Sequence, residues 1–241
     1  MDNNLITTQE EIRKIKKPRL QLQATDKEGL SVGMRITGKS YSVRTDRHRC
    51  FFPDEWNKFY NSLRENNKII FDVLINTGAR IDEALHIRPK DFDWERNNLT
   101  LYVTKTKHVK GEYKGRPRSF VINPQFSRRV KKYIEEKQIA SEESLFLDKK
   151  TNKILTTQAV YQLLRRMLIK IGIKDYYNFS LHNIRKTHGN WLKALDIQSD
   201  EICLRLGHDH DTFLKHYGSA SIYNQQDKIL MLKILGKIYG L

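Results

Sequence analysis

The chain has 241 residues, enough for one substantial hydrophobic core or for two small domains. Its 44 Lys and Arg against 28 Asp and Glu leave a formal charge of +16, which points to a polyanionic partner, either nucleic acid or an anionic membrane surface. No run approaches the roughly 18 apolar residues that cross a bilayer, and Met1-Asp2-Asn3-Asn4 lacks the basic and apolar regions of a secretion signal, so a cytoplasmic protein without a membrane anchor is expected.

Residues 1–50 are polar and basic, with Arg13, Lys14, Lys16, Lys17 and Arg19 clustered early and Arg44, Arg47 and Arg49 late. They read as a basic N-terminal arm, either tracking phosphates or simply disordered, with little to bury. From Phe51 the pattern changes. Phe52-Pro53-Asp54-Glu55-Trp56 has the form of a helix start, and Trp56, Phe59, Tyr60 and Leu63 recur at helical spacing, so a globular domain over 51–241 is expected to begin here. Ile69, Ile70, Val73, Leu74 and Ile75 predict a more buried helix that stops at Thr77-Gly78, followed by a further turn or two from Arg80 to Ile87 before Pro89.

Residues 99–104 and 119–122 read as two strands of a small antiparallel sheet, joined by a Lys-, Arg- and Gly-rich connection from Lys105 to Arg118. That connection is either a basic hairpin loop that enters a DNA groove or a solvated loop. Helices are predicted over 124–138, 156–171, 181–195, 199–206, 210–217 and 222–238, with breaks at Gly172, Gly207 and Gly218. The expected architecture is α+β, mainly α-helical, with the small sheet set into it. Cys50 and Cys203 are far apart and lack CxxC spacing, so they read as reduced thiols.

Cutting a phosphodiester without a metal needs a nucleophile, a proton donor for the leaving oxygen, and cations around a phosphorane whose equatorial oxygens gain charge. Arginine suits the last task because its guanidinium stays protonated and can hold two phosphate oxygens at once. In Thr77-Gly78-Ala79-Arg80-Ile81-Asp82-Glu83, the i, i+3 spacing lets Glu83 orient Arg80. In Leu181-His182-Asn183-Ile184-Arg185, His182 and Arg185 share one helical face. Leu206-Gly207-His208 and then Lys215-His216-Tyr217 follow, with 23 positions from Arg185 to His208 and 9 from His208 to Tyr217.

In order, type and distance these segments resemble the boxes of the tyrosine recombinases, the phage-type integrases, over roughly residues 52–220. The resemblance implies a catalytic domain that cleaves and rejoins DNA through a 3′-phosphotyrosyl link, with no metal or other cofactor. It assigns Arg80, Arg185 and His208 to the phosphate, His182 to general-base catalysis, and Tyr217, one of 11 tyrosines, to nucleophilic attack. It places Lys105 at the leaving 5′-oxygen, with Lys107 as the alternative, and leaves Lys107, Lys110, Lys114, Arg116 and Arg118 to contact DNA. Double-stranded DNA, a tetrameric synapse of like protomers, nucleoid association and an accessory DNA-binding protein are the implied partners and setting. Family members commonly carry a helical domain before the catalytic one, so the short N-terminus implies either a minimal form or a partner that supplies the other half of the DNA clamp.

Two other classes share parts of this pattern. A type IB topoisomerase would relax supercoils without strand exchange, and a DNA-binding regulator of the same fold would bind without cleaving. His208-Asp209-His210-Asp211 and His216 offer metal-ligand types but no complete set, so no metal site is expected; Asp209 and Asp211 read as caps for the helix presenting Tyr217. Ile222, Ile229, Leu230, Leu232, Ile234, Leu235 and Ile238 give the last helix an apolar stripe, for its own domain or for a neighbouring protomer. Tyr223 lies off the family register and reads as structural.

Overall fold

The computed structural model describes residues 30–38, 40–44, 49–102, 117–148, 151–211, 213 and 222–236. In chain order its elements are strands β1 (Leu30–Met34) and β2 (Ser40–Arg44), helices α1 (Pro53–Ser62), α2 (Glu65–Thr77) and α3 (Ile81–Leu85), and strands β3 (Phe92–Asp93), β4 (Asn98–Leu101) and β5 (Arg118–Val121). Helices α4 (Pro124–Lys137), α5 (Thr157–Lys170), α6 (Leu181–Ala194), α7 (Ser199–Leu206) and α8 (Gln225–Leu235) complete them. The expected α+β architecture, mainly helical with one small antiparallel sheet in the domain, is what the chain adopts.

Each helix starts and stops for local reasons. α1 opens on Pro53, whose missing N–H costs nothing at the first helical position, and the Glu55 carboxylate accepts from the backbone N–H of Phe52 at 3.1 Å. α4 and α5 are capped by Asn123 and Thr156, whose side-chain oxygens accept from the N–H of Gln125 and Ala159. α8 is shorter than the predicted 222–238. Asn224 and Asp227 cap it reciprocally, and it ends at Gly236, which turns to φ 70°. The hydrophobic pattern runs past both of these stops, which explains the overestimate.

The sheet has the order β3-β4-β5, fully antiparallel, with Leu99 opposite Phe92 and Phe120. Leu99, Leu101 and Phe120 turn inward, as alternation requires. β3 is a strand that the sequence did not announce. Two residues are too few for a periodic signal.

α6 lies at the centre, packed on α2 and α7, and it is buried on almost every side although half of it is polar. Its polar side chains do the work of backbone ties. Thr187 Oγ1 accepts from the N–H of Phe51 at 3.0 Å, Trp191 Nε1 donates to the Phe51 carbonyl at 3.0 Å, and Asn183 Nδ2 donates to the Arg49 carbonyl at 2.8 Å. Such groups are tolerated in a core because each is paired. They pin the entering chain to the central helix.

This entry segment corrects the expectation that residues before Phe51 have little to bury. β1 and β2 form a five-pair antiparallel hairpin. Arg35, directly after β1 in the connection between the two strands, bridges Asp54 of α1 and Asp227 of α8 at 2.8 and 3.0 Å, with its guanidinium 3.9 Å above the Phe52 ring. Arg49 is buried, with Glu55 at 2.6 Å and Asp175 at 2.5 Å. The carboxylates that neutralise these arginines lie up to 192 positions away, so a local count of charge saw only a basic arm. Residues 1–29 lie outside the described residues.

Both cysteines are free thiols. Burial pushes the Cys50 thiol up to about 11, so it stays protonated at neutral pH. Tyr223 is buried with its ring 5.5 Å from that of Phe52, consistent with its structural assignment. α8 packs on α1 and α6 of its own domain. No helix among the described residues is long and apolar enough to cross a membrane.

Candidate active site

The site begins at the break after α2. Gly78 adopts the left-handed conformation, φ 62°, and its N–H donates to the Leu74 carbonyl at 3.0 Å. A Cβ there would stand 2.5 Å from His188 Cδ2 and 2.7 Å from Leu206 Cδ2, so the turn is pressed against α6 and α7. Gly78→Ala combines a strained φ with a clash inside packed core. It should cost about 2–4 kcal/mol, read as a lowered denaturant midpoint with unchanged m.

Arg80 is the N-cap of α3. Its N–H donates to Glu83 Oε2 at 2.8 Å and its Nη1 to Glu83 Oε1 at 2.8 Å, while its side chain stays 25% exposed. The expected pairing of Glu83 with Arg80 is therefore present in the geometry, one helical turn apart. Glu83 itself is buried, and Arg118 holds it from the other side, with Nη1 and Nη2 at 3.2 and 2.5 Å. Burial alone would raise the carboxyl, but hydrogen bonds and charge from Arg118 and Arg80 outweigh it and hold Glu83 below its ordinary value.

Arg185 occupies the inward face of α6 and is 1% exposed. Its Nη1 donates to the Gly78 carbonyl at 2.7 Å, and its Nη2 donates to the Leu206 carbonyl and lies 2.9 Å from His208 Nε2. A guanidinium only donates, so a hydrogen bond between these two atoms requires His208 Nε2 to accept. One side chain thus draws together the turn before Arg80, the end of α7 and His208. His182 stands one turn before Arg185 in the first turn of α6 and is exposed.

Phe213, four positions before Tyr217 in the sequence, is fully buried, with Lys193 Nζ 5.2 Å from its ring centroid. His210 Nε2 lies 3.0 Å from Asp200 Oδ1. Among the described residues no three His, Cys, Asp or Glu side chains come together to hold a metal. Lys105, Lys107, Lys110, Lys114, Arg116 and Tyr217 lie outside the described residues.

Arg118 corrects the sequence expectation. It was grouped with the loop residues that touch DNA, but it is the first residue of β5 and is 8% exposed. Its Nε donates to the Arg205 carbonyl at 2.9 Å, and both η nitrogens face Glu83. The predicted strand started one residue too late, at Ser119. Extended by one, alternation places Arg118 on the same inward face as Phe120.

Sequence reasoning also passed over His188 and Arg205. His188 is fully buried, with Nδ1 2.7 Å from the Ile75 carbonyl, and burial pulls its imidazole down to about 3, helped by the nearby charges of Arg205 and Arg185. Arg205 is fully buried, donates through Nη2 to the Val121 carbonyl, and stands 4.7 Å over the Phe120 ring. Helical spacing alone does not distinguish these residues from surface ones.

The chain is similar to known proteins in sequence and in fold. Tyrosine recombinase XerH of Campylobacter jejuni is 27% identical over 132 residues, 55% of this chain, and the chain spans only 34% of the length of that relative. In fold the chain is similar to the crystal structure of XerA recombinase, with TM-score 0.59, 16% identity, and 82% of this chain and 70% of that one covered. It is similar also to the Tn1549 transposon integrase in complex with transposon right end DNA, with TM-score 0.60, 16% identity, and 81% and 68% covered. The model of the phage integrase family matches residues 51–222, and with the paired arginines, His208 and the glycine-preceded Arg80 in place, the chain belongs to that family.

Proposed function

We propose that this protein is a site-specific DNA recombinase that cuts and rejoins strands through a covalent bond to Tyr217, without a metal or ATP. The observation that carries this is the convergence on Arg185. Two segments far apart in sequence, one at Gly78 and one at Leu206–His208, meet at the guanidinium that a third, α6, supplies, in a chain of the phage integrase family.

The chemistry follows from the residue types. A phenol of pKa near 10 is about 0.1% ionised at pH 7, so Tyr217 must lose its proton as it attacks. Its Oη bonds to phosphorus, the P–O5′ bond breaks, the phenolic proton passes to His182, and Lys105 protonates the departing 5′-oxygen. Arg80 and Arg185 hold the non-bridging oxygens and carry the added charge, and His208 hydrogen-bonds to the same phosphate. The phosphodiester energy stays in the 3′-phosphotyrosyl link, and a 5′-hydroxyl of another strand reverses the step. Lys107 is the alternative acid.

Lys107, Lys110, Lys114 and Arg116 are assigned to phosphates beside the cleavage point, and the partner is double-stranded DNA, engaged by four protomers in a synapse. Support comes from the charge of +16 and from the fold shared with an integrase seen on transposon DNA.

The test uses nicked suicide duplexes tiled across the DNA that flanks the gene. Wild-type protein should form an SDS-stable protein–DNA adduct, and Tyr217→Phe should form none. An adduct that survives Tyr217→Phe would overturn the proposal. Binding without any adduct would place the chain with DNA-binding regulators instead.

A further inference from the structure

Arg118 has no task in the chemistry above, yet the structure commits every nitrogen of its side chain. We propose that Arg118 is a positioning residue that locks the Arg80 clamp to the loop carrying His208. The proposal rests on the recombinase function just given.

The argument is one of geometry. The η nitrogens of Arg118 straddle the Glu83 carboxylate at 3.2 and 2.5 Å, and the same carboxylate takes the backbone N–H and the Nη1 of Arg80, each at 2.8 Å. Glu83 is therefore a bridge with an arginine at each end. On its far side Arg118 Nε donates to the Arg205 carbonyl at 2.9 Å, at the last turn of α7. The next residue, Leu206, gives its carbonyl to Arg185, and Arg185 reaches back to the Gly78 carbonyl beside Arg80. A closed ring of hydrogen bonds runs from Arg80 through Glu83, Arg118 and the end of α7 to Arg185 and the turn at Gly78.

Two further contacts tighten the ring. The backbone of Gly207, φ 61°, packs beside Arg118, where a Cβ would make ordinary van der Waals contact at 3.4 Å from Cδ and 3.5 Å from Nη1. Arg205 returns the clasp from α7 to β5 by donating to the Val121 carbonyl. His208 immediately follows this seam. A planar, bidentate fork with a third donor at right reach is a task that lysine cannot reproduce. The Arg118 side chain is 7% exposed, and all three of its nitrogens face Glu83 or the Arg205 carbonyl.

A positioning residue and a DNA contact separate cleanly in two measurements on the suicide duplex cleaved by the wild type. Arg118→Lys keeps the charge but not the fork. It should slow single-turnover adduct formation by at least about tenfold while changing Kd less than about twofold and leaving the salt dependence of binding unaltered. Weaker binding at an unchanged rate would make Arg118 a phosphate contact and overturn the proposal. No change in either would overturn it too.

Glu83→Gln guards against a variant that fails to fold, since it preserves shape on the other side of the bridge. It should slow adduct formation likewise, and the double variant should be no slower than the slower single. Effects that multiply independently would contradict the shared bridge. If the wild type forms no adduct on any duplex, the recombinase function itself fails. The bridge is then read from the His208 imidazole signals in NMR, which Arg118→Lys must shift and which an uncoupled Arg118 would leave in place.

Discussion

Arg185→Lys should slow strand cleavage by roughly 10²–10³-fold, the range found for loss of a preorganised donor at a developing anion. The reason is the number of partners held by one plane. Arg185 serves the Gly78 carbonyl, the Leu206 carbonyl and His208 at once, and a lysine ammonium on a flexible stem cannot span them. At least one buried carbonyl then loses its donor, at about 1–3 kcal/mol. The loss should therefore appear twice, in the single-turnover rate on a suicide duplex and in the denaturant midpoint. A variant with full stability and a slow rate would place Arg185 on the phosphate alone. One with low stability and a normal rate would remove it from the chemistry.

The second large effect is on acid stability and comes from His188. Its imidazole is held neutral in the folded protein down to about pH 3, whereas an unfolded chain protonates it near pH 6.5. Below pH 6.5 the unfolded state therefore binds a proton that the folded state refuses. Stability is complete above about pH 6.5 and falls by up to about 1.4 kcal/mol per pH unit toward pH 3, reaching about 3 kcal/mol lost at pH 4. Denaturant melts between pH 4 and pH 8 measure this. His188→Leu should be less stable than the wild type at pH 8, having lost the hydrogen bond to the Ile75 carbonyl, but its slope with pH should be shallower by about one proton. An unchanged slope would mean that His188 charges without unfolding the chain.

What could be seen in the sequence was whatever depends on local pattern. α2 ends at Gly78 because no other residue takes its φ without strain, and that glycine is visible in any window. α6 and α7 fall within a residue of their predicted ends, since Leu181 and Gly207 mark them. Arg80, Arg185 and His208 stood in an order and spacing that the fold then gathered around Gly78 and Leu206.

What could not be seen depends on partners distant in the chain. Arg35, Arg49, Arg118 and Arg205 look alike in a sequence so rich in Lys and Arg. All four prove to be structural cations, fixed by Asp227, Asp175, Glu83 and the Val121 carbonyl. For Arg118 a usable signal existed in the alternation with Phe120. For Arg49 one partner, Glu55, lies six positions on, but the other, Asp175, comes 126 positions later and no local pattern announces it. The hairpin of β1 and β2 was hidden for a related reason. Its flanking residue Arg35 is held by α1 and α8, two helices whose meeting no local pattern announces.

The central claim is the identity of the bond between protein and DNA. It is tested most directly by digesting the trapped adduct with protease and nuclease and locating the residual nucleotide by mass spectrometry, while the released strand is offered to polynucleotide kinase. The account predicts the nucleotide on the peptide containing Tyr217, joined through a 3′-phosphate, and a released strand that is labelled without prior phosphatase treatment because its 5′-end is a free hydroxyl. A nucleotide on any other residue, or a link through a 5′-phosphate, would contradict it.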